Sequence, residues 1–306
     1  MKSHELSSDA LQWVTDSIGS GSKILSTCIL AGTTSSTLYK IDAKYKGRNA
    51  GFTLRLFTKE EWLKAEPDLA LHEAESLRKA AEADVPIPEV IAYDEKGTHC
   101  GVPATLMTYL IGSIELKPID FDDWIYQIAE SLIRIHDVEV GKFPWSYFCW
   151  NDISDYKLPD WSRFPDLWRK AIEIVLESPP EERECFLHRD YHPTNILWQG
   201  NRISGIIDWV NACRGPAHVD ISHCRTNLVY LYGVKATDQF LSAYQSLAGA
   251  SFEYHPYWDL TSIVGFTLPG PPDVYSPWIT FGIQHLNNKI MIERADDYLE
   301  SVMSRF

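Results

Sequence analysis

One short segment combines residue types that could carry out phosphoryl transfer. Residues 188–195 read HRDYHPTN, and Asp208 follows Asn195 by thirteen residues. Transfer of a phosphoryl group to a hydroxyl needs a carboxylate that orients the hydroxyl and accepts its proton, and oxygen ligands that hold Mg²⁺ against the polyphosphate. Asp190 could supply the first group, and Asn195 and Asp208 the second. The segment is therefore a candidate catalytic centre.

A predicted β-hairpin separates the two parts of this centre. Residues 196–198 and 203–207 have β-strand character and flank a Gln-Gly-Asn turn. Because a hairpin brings its two ends together, we expect Asn195 to lie near Asp208. Asp190 is then expected on the loop just before them.

The same segment has other interpretations. Single Asp and Asn residues in loops mostly serve turns and caps. His188, Asp190 and His192 stand at alternate positions and could instead ligate Zn²⁺ in a metal hydrolase. A catalytic zinc site normally needs a further group of His, Cys or carboxylate ligands, and the sequence shows none elsewhere. The zinc hydrolase is therefore the weaker alternative.

The letters HRDYHPTNIL and IIDW in this region resemble the protein-kinase-like small-molecule phosphotransferases, typified by the aminoglycoside phosphotransferases. The first follows the spacing of the kinase catalytic loop, and the second stands where protein kinases have D-F-G. The resemblance implies that Asp190 is the catalytic base and that Asn195 and Asp208 are metal ligands. It also implies that His188 and Asp220 support the catalytic loop.

The remainder of the chain predicts elements that would position this centre. Short β-like runs alternate with turns in the first third, and a helical stretch follows residue 68 and ends near Ala83. From Asp122 onward the spacing of apolar residues is mainly helical. The β-like runs are residues 23–30, 37–43, 51–57, 89–93 and 103–109.

These elements and the resemblance together predict an α+β, protein-kinase-like fold with two lobes. The first lobe, residues 1–112, is expected to hold a small antiparallel β-sheet with one helix and to bind the nucleotide. A hinge is expected at about residues 107–112. The second lobe, residues 113–306, is expected to be larger, mainly helical, and to carry the catalytic and substrate-binding groups.

A possible ion pair in the first lobe supports the same interpretation. At about 100° per residue, Glu73 lies at the edge of a buried helical face, and an acid there needs a cationic partner. Arg55, on a neighbouring predicted strand, could be that partner. In the resembling family this pair positions the α- and β-phosphates with a lysine, so Arg55 is a departure. A surface Arg beside a helix-edge Glu is the alternative.

Two further segments are expected to contact the nucleotide. The loop after Leu30 contains one glycine and a run of hydroxyl residues, and Thr33 and Ser35 could offer hydroxyl and backbone N–H groups to phosphates. The resemblance places the adenine-binding hinge at Met107 and Tyr109. A simple turn and a plain strand end are the alternative interpretations.

Composition limits the possible partners and location. The chain has 306 residues and a formal charge of −14, so nucleic acid would be repelled in the absence of a basic patch, and none is evident. No apolar run is long enough for a membrane span, and no signal peptide precedes the six scattered cysteines. We therefore expect a cytoplasmic protein that binds neither nucleic acid nor membrane.

The acceptor is expected to be a small hydroxyl compound. Residues 1–112 carry 12 Lys and Arg against 15 Asp and Glu, whereas residues 113–306 carry 16 against 27. Nine of the eleven tryptophans also follow residue 112, and aromatic faces beside acids favour a cationic acceptor. An aminoglycoside phosphorylated by ATP or GTP with Mg²⁺ is the first expectation. The alternative acceptors are a macrolide, a choline-like amino alcohol and a sugar. The alternative to catalysis is a non-catalytic, nucleotide-binding pseudokinase.

Overall fold

The chain forms two compact units, each with its own apolar core. The computed structural model describes residues 6–30, 36–149, 156–268 and 270–306. The first unit contains Met1–Gly112 together with the later segment Ser204–Ala212, and the second contains Ser113–Ile203 and Cys213–Phe306. The first unit is therefore assembled from two separate stretches of chain.

An antiparallel sheet forms the first unit, with the strand order β1-β2-β3-β5-β4. Its strands are β1 (Lys23–Ile29), β2 (Thr37–Tyr45), β3 (Arg48–Leu56), β4 (Val90–Asp94) and β5 (Ala104–Thr108). The five β-like runs of the sequence correspond to these strands, with ends that differ by at most three residues. Strand β3 lies between β2 and β5, so both of its edges are hydrogen-bonded to neighbouring strands.

Three helices accompany this sheet in the described residues, where the sequence predicted one. They are α1 (Ser8–Ile18), α2 (Glu60–Ala65) and α3 (Leu69–Ala80). Helix α1 packs Val14 and Ile18 against the sheet core, and the Ser7 side chain caps its first turn. Leu11 packs against the same core, so the apolar residues of α1 recur at helical spacing although the sequence prediction did not include this helix.

The second unit is mainly helical. The apolar stripe predicted from Ile125 to Ile135 is buried in the first of its helices. An apolar core centred on Trp168, Leu260 and Tyr298 joins several of the helices that follow. The helices are α4 (Phe121–His136), α5 (Pro165–Val175), α6 (His218–Tyr232), α7 (Val234–Ala248), α8 (Tyr257–Thr267), α9 (Ser276–Thr280) and α10 (Asn288–Met303).

Short strands outside the five-stranded sheet position the candidate loop. Strand β7 (Glu184–Leu187) pairs antiparallel with β10 (Cys213–Pro216). A three-stranded sheet has the order β6-β8-β9 and contains the predicted hairpin; its strands are β6 (Ser113–Ile114), β8 (Ile196–Gln199) and β9 (Arg202–Ile206). The candidate loop therefore starts at the end of β7 and stops at the start of β8.

The antiparallel sheet of the first unit and the helices of the second confirm the α+β class. Of the helices in the described part of the chain, none has the combination of length and apolar character needed to cross a membrane.

Candidate active site

A buried carboxylate fixes the start of the loop that follows β7. Asp220 Oδ2 accepts a hydrogen bond from the backbone N–H of His188 at 2.8 Å, and Oδ1 accepts one from that of Arg189 at 2.7 Å. Asp220 lies in the first turn of α6 and is inaccessible to solvent. Hydrogen bonds to an ionised acceptor are stronger than neutral ones. The structure therefore places Asp220 where the sequence expected a support for the loop.

His136 completes this support from helix α4. Its Nε2 lies 3.2 Å from Asp220 Oδ2, and its Nδ1 lies 2.7 Å from the Tyr244 hydroxyl. Burial alone would raise the pKa of Asp220, but the hydrogen bond and charge of His136 and the charge of His188 outweigh burial and hold that pKa below its usual range. His136 is itself buried, and its imidazole contacts the carboxylate that supports the loop.

Asp190 lies on the loop with its carboxylate engaged by several neighbours. Asn195 Nδ2 donates to the backbone oxygen of Asp190 at 2.8 Å and to its Oδ2 at 3.0 Å. His223 Nε2 lies 3.1 Å from Oδ1, and His192 Nε2 lies 3.5 Å from the same oxygen. A 3₁₀ turn at Pro193–Asn195 returns the chain so that Asn195 faces Asp190. The structure thus brings together two of the predicted residues.

These contacts keep Asp190 ionised. Burial by itself would raise the pKa of Asp190, but the charge of His192, and then the hydrogen bond and charge of His223, hold it well below the usual range. A carboxylate that is ionised at neutral pH can accept a hydrogen bond from an alcohol and fix the direction of its oxygen.

His223 is a residue of this site that the sequence did not indicate. It follows Asp220 by three positions on α6, so both side chains lie on one face of the helix. Because Asp220 contacts the start of the loop, the residue one turn later on that face reaches Asp190. The helical spacing from Asp220 is the signal that could have identified it. His188, by contrast, is buried against Tyr191 and does not belong to the group formed by Asp190, His192 and His223.

The first unit carries a second charged group, centred on Arg55 of β3. Arg55 Nε lies 3.0 Å from Glu73 Oε1, and Arg55 Nη1 donates to Asp208 Oδ1 at 2.9 Å. Leu54 belongs to the sheet core on the α1 side, so its neighbour Arg55 faces the opposite side of the sheet, toward α3. One guanidinium therefore balances two carboxylates. The predicted pairing of Arg55 with Glu73 is present, and Asp208 joins it.

The segment Ser204–Ala212 brings Asp208 into the first unit. His72 Nε2 of α3 contacts the Ala212 backbone oxygen at 2.6 Å, and the N–H of Ile206 donates to the backbone oxygen of Pro86 at 2.8 Å. Asp208 itself has a φ of +70°, in the left-handed region that non-glycine residues seldom adopt. Such a conformation persists where surrounding contacts impose it.

Glu73 is the most strongly perturbed group of this set. Its side chain is almost wholly excluded from solvent. Burial raises its pKa to about 7 although the charge of Arg55 opposes this, and the neighbouring charge of Asp208 raises it further. Glu73 therefore titrates near neutrality.

The remaining predicted nucleotide contacts have different outcomes. Met107 is buried on β5, and the backbone N–H of Tyr109 donates to the Gly51 oxygen at 3.0 Å, so that N–H is already engaged within the unit. Their role at an adenine-binding hinge stays a prediction. Thr33 and Ser35 lie outside the described residues. Asn195 belongs to the second unit and Asp208 to the first, and their expected proximity also stays a prediction.

A cavity of about 370 Å³ lies in the second unit beside Asp190. His223 lines this cavity and also contacts the Asp190 carboxylate. The Arg189 guanidinium, which also lines it, lies 4.5 Å from the centre of the Tyr147 ring. Of the described residues around it, none is an Asp or Glu; the lining includes Tyr147, Arg189, Ser222, His223, Trp258 and Phe266.

The sequence pattern of the phosphotransferase enzyme family, abbreviated APH, matches residues 29–259. Acyl-CoA dehydrogenase family member 10 of Mus musculus is 23% identical over 168 residues, which cover 48% of this chain and 16% of that protein. The N-acetylmuramate/N-acetylglucosamine kinase of Pseudomonas aeruginosa is 26% identical over 202 residues, which cover 62% of this chain and 55% of that protein. The chain thus spans little more than half of one curated relative and a smaller part of the other.

Solved structures share the fold over nearly the whole chain. Aminoglycoside phosphotransferase APH(4)-Ia is 16% identical with a TM-score of 0.61, and 97% of this chain and 98% of that one are covered. A mutant of the same enzyme in a ternary complex with ADP and hygromycin B has a TM-score of 0.60, 16% identity and coverage of 96% and 97%. Macrolide 2′-phosphotransferase MphH of Brachybacterium faecium has a TM-score of 0.60, 14% identity and coverage of 95% and 98%. The expected kinase-like fold is confirmed by these neighbours.

The support given by Asp220 predicts a defined effect of its removal. In Asp220→Asn one of the two N–H donors at the start of the loop loses its carboxylate oxygen, and a buried donor without a partner costs about 1–3 kcal/mol. We expect the free energy of unfolding, measured in urea, to fall by that amount, and the amides of His188 and Arg189 to exchange faster with deuterium. Asp166→Asn, at a largely exposed aspartate, is the control and should change neither. Unchanged exchange at both amides in Asp220→Asn would contradict this role.

The raised pKa of Glu73 predicts a pH dependence with a definite sign. Because the folded-state pKa of about 7 exceeds the ordinary value of 4.5, the stability that protonated Glu73 contributes is lost as pH rises from about 4.5 to about 7, and the loss levels off above that range. Relative to Glu73→Gln, the wild-type protein should lose on the order of 1 kcal/mol between pH 6 and pH 8.5. Urea unfolding of both proteins at each pH measures this difference. Parallel stability curves across that range would show that Glu73 does not titrate there.

Proposed function

Since the chain belongs to the phosphotransferase enzyme family, we propose that it transfers the γ-phosphoryl group of ATP or GTP to a hydroxyl group of a small molecule. One observation carries the proposal: the Asp190 carboxylate is held by Asn195 at 3.0 Å and lies on a loop whose start is fixed by Asp220. A carboxylate on a mobile loop could not orient a hydroxyl in this way. Rigid placement is what transfer between two bound reactants requires.

Asp190 serves as the catalytic base in this proposal. Its carboxylate accepts a hydrogen bond from the acceptor hydroxyl and takes the proton as the oxygen bonds to the γ-phosphorus and the nucleoside diphosphate leaves. A low pKa makes Asp190 a weak base, which suits a transition state in which the hydroxyl loses its proton late. Asp190 then acts mainly by directing the oxygen.

Asn195 and Asp208 are proposed to hold Mg²⁺. Mg²⁺ prefers oxygen ligands. The Asn195 amide nitrogen is turned toward Asp190, which leaves its oxygen as the ligand atom, and Asp208 is about one-third exposed and carries a carboxylate. Both residues therefore fit the ion. When bound, it would neutralise charge on the nucleotide phosphates.

Arg55 and Glu73 are proposed to position the nucleotide phosphates. Arg55 is 4% exposed and its orientation is set by Glu73 and Asp208, so its guanidinium is held in place before any phosphate arrives. A guanidinium binds phosphate oxygens through two parallel hydrogen bonds, which an ammonium cannot do. Thr33, Ser35, Met107 and Tyr109 complete the proposed nucleotide site.

The acceptor proposed first is an aminoglycoside-type antibiotic. The acidity of residues 113–306 would attract a polycation. The structural neighbour APH(4)-Ia was solved with hygromycin B, which supports this choice. Phosphorylation adds negative charge and bulk to such a compound.

The cavity beside Asp190 favours a second candidate, an uncharged sugar. Its described lining combines aromatic rings and hydroxyls with Arg189 and contains no carboxylate for a cation. Its volume is near the lower end of the roughly 300–1,000 Å³ that small-molecule sites occupy, which suits a single ring better than a macrolide. The Pseudomonas aeruginosa relative is an N-acetylmuramate/N-acetylglucosamine kinase, and this name supports a sugar acceptor.

The roles of the two aspartates are separable by experiment. We expect Asp190→Ala to lower kcat by about 10²- to 10⁴-fold with nucleotide affinity nearly unchanged. Asp208→Ala should lose Mg²⁺-dependent nucleotide binding, measured by calorimetry with and without Mg²⁺. Asp166→Ala, at a surface aspartate of the second unit, is the control. Basal Mg-ATPase activity equal in the wild type and in Asp190→Ala would instead indicate a pseudokinase.

A screen of acceptors tests the reaction itself. ATP and GTP are each offered with hygromycin B, a macrolide, choline and N-acetylglucosamine, and phosphorylated product is detected by mass spectrometry. We expect product with at least one acceptor and none in Asp190→Ala. If the acidity of the second unit selects the acceptor, transfer to hygromycin B should weaken steeply as salt is added. If the cavity selects the acceptor, transfer to the sugar should not depend on salt. Absence of product with every acceptor and both nucleotides would contradict the proposed reaction.

A further inference from the structure

We propose that Asp190, His192 and His223 form a binding site for a zinc-class transition-metal ion, and that the ion inhibits phosphoryl transfer by occupying the catalytic carboxylate. The ligand atoms of these three side chains all lie within 4.8 Å of one another. Among the described residues, this is the group of His, Cys, Asp or Glu side chains whose geometry could hold a metal ion.

The distances in this group suit tetrahedral coordination. A zinc ion bound to nitrogen and oxygen at about 2.0–2.1 Å holds neighbouring ligand atoms about 3.3–3.4 Å apart. His223 Nε2 is 3.1 Å and His192 Nε2 is 3.5 Å from Asp190 Oδ1. Both imidazoles thus already stand near the spacing that the ion would impose, and small side-chain rotations suffice to bind it.

A neighbouring hydroxyl orients one of the two imidazoles for metal binding. His192 Nδ1 lies 2.9 Å from Thr194 Oγ1. When Nδ1 donates its proton to that hydroxyl, Nε2 carries the lone pair and points toward Asp190. Metal-binding histidines commonly have such a partner at the second ring nitrogen, because it fixes both the tautomer and the direction of the ring.

The donor set distinguishes this site from the one proposed for Mg²⁺. Two imidazole nitrogens and one carboxylate oxygen suit Zn²⁺ and its neighbours in the first transition series, whereas Mg²⁺ prefers oxygen ligands. The side chain of Asp190 is 30% exposed and that of His223 is 17% exposed, so an ion can enter from solvent. Three protein ligands leave a fourth position open.

Inhibition follows from which oxygen the ion would take. The Oδ2 of Asp190 is engaged by Asn195, and both histidines face Oδ1. A metal on Oδ1 therefore occupies the oxygen that Asn195 leaves open to the acceptor hydroxyl. This consequence rests on the proposed function, whereas metal binding does not.

Metal binding is tested on the tag-free full chain with zinc alone, by equilibrium dialysis in excess Mg²⁺. We expect one zinc ion per chain in the wild type and at least a 10-fold weaker affinity in His223→Asn and in His192→Asn. Co²⁺ in place of zinc should give the visible absorption of a tetrahedral centre in the wild type and not in either variant. His285→Asn, at an exposed histidine outside the group, should behave as the wild type. Failure of the wild type to bind stoichiometric zinc, or unchanged affinity in both folded variants, would overturn the site.

The regulatory consequence is tested with whichever acceptor supports turnover. Zinc should lower turnover of the wild type, a chelator selective for zinc over magnesium should restore it, and His223→Asn should need at least 10-fold more zinc for the same fractional inhibition. Stoichiometric zinc without turnover on any acceptor would leave the metal site standing and the proposed function refuted. Turnover that is unaffected when the site is filled with zinc would refute inhibition through Asp190.

Discussion

The catalytic loop depends on one solvent-excluded carboxylate at the start of α6. Asp220 receives two backbone N–H groups from the first two residues of the loop, and His136 supplies the compensating partner from α4. Burying an ionised carboxylate without partners would cost free energy, so Asp220 needs these donors. The buried N–H groups in turn need an acceptor, and Asp220 supplies it. One residue thereby links two helices and the end of β7. The position of Asp190 depends on these contacts, because Asp190 directly follows the two residues that Asp220 holds.

Each unit holds a central charged group between two polar side chains, a cation in the first unit and an anion in the second. In the first, the buried Arg55 guanidinium lies between Glu73 and Asp208; in the second, the Asp190 carboxylate lies between two imidazoles. Each central group is held by more than one partner, so no single rotation releases it. Arg189 and Asp208, which adjoin or belong to these groups, both have positive φ values, and backbone strain of this kind concentrates at functional sites.

The sequence was informative where a pattern is local. Alternating residues predicted the strands of the first unit, and helical spacing placed Glu73 inward, toward Arg55. It was silent where contacts join distant segments. His223 contacts Asp190 because α6 packs beside a loop that lies more than thirty residues earlier, and its helical spacing from Asp220 is the one local signal of that contact. Helix α1 was missed although Leu11, Val14 and Ile18 recur at helical spacing and pack against the sheet core. The second partner of Arg55, Asp208, could be found only by knowing where Ser204–Ala212 packs.

The split composition of the first unit has a consequence for synthesis. Met1–Gly112 emerges from the ribosome well before Ser204–Ala212, yet the later segment fills the space beside α3 and supplies Val210 to an apolar cluster with Phe57 and Leu69. At roughly 5–20 residues per second, about 5–20 s separate the two stretches. During that interval the nascent unit exposes the apolar surface that Val210 will cover. The first unit therefore cannot be completed until Ser204–Ala212 has been synthesised. A gene fragment that ends at residue 112 would encode a chain without this segment.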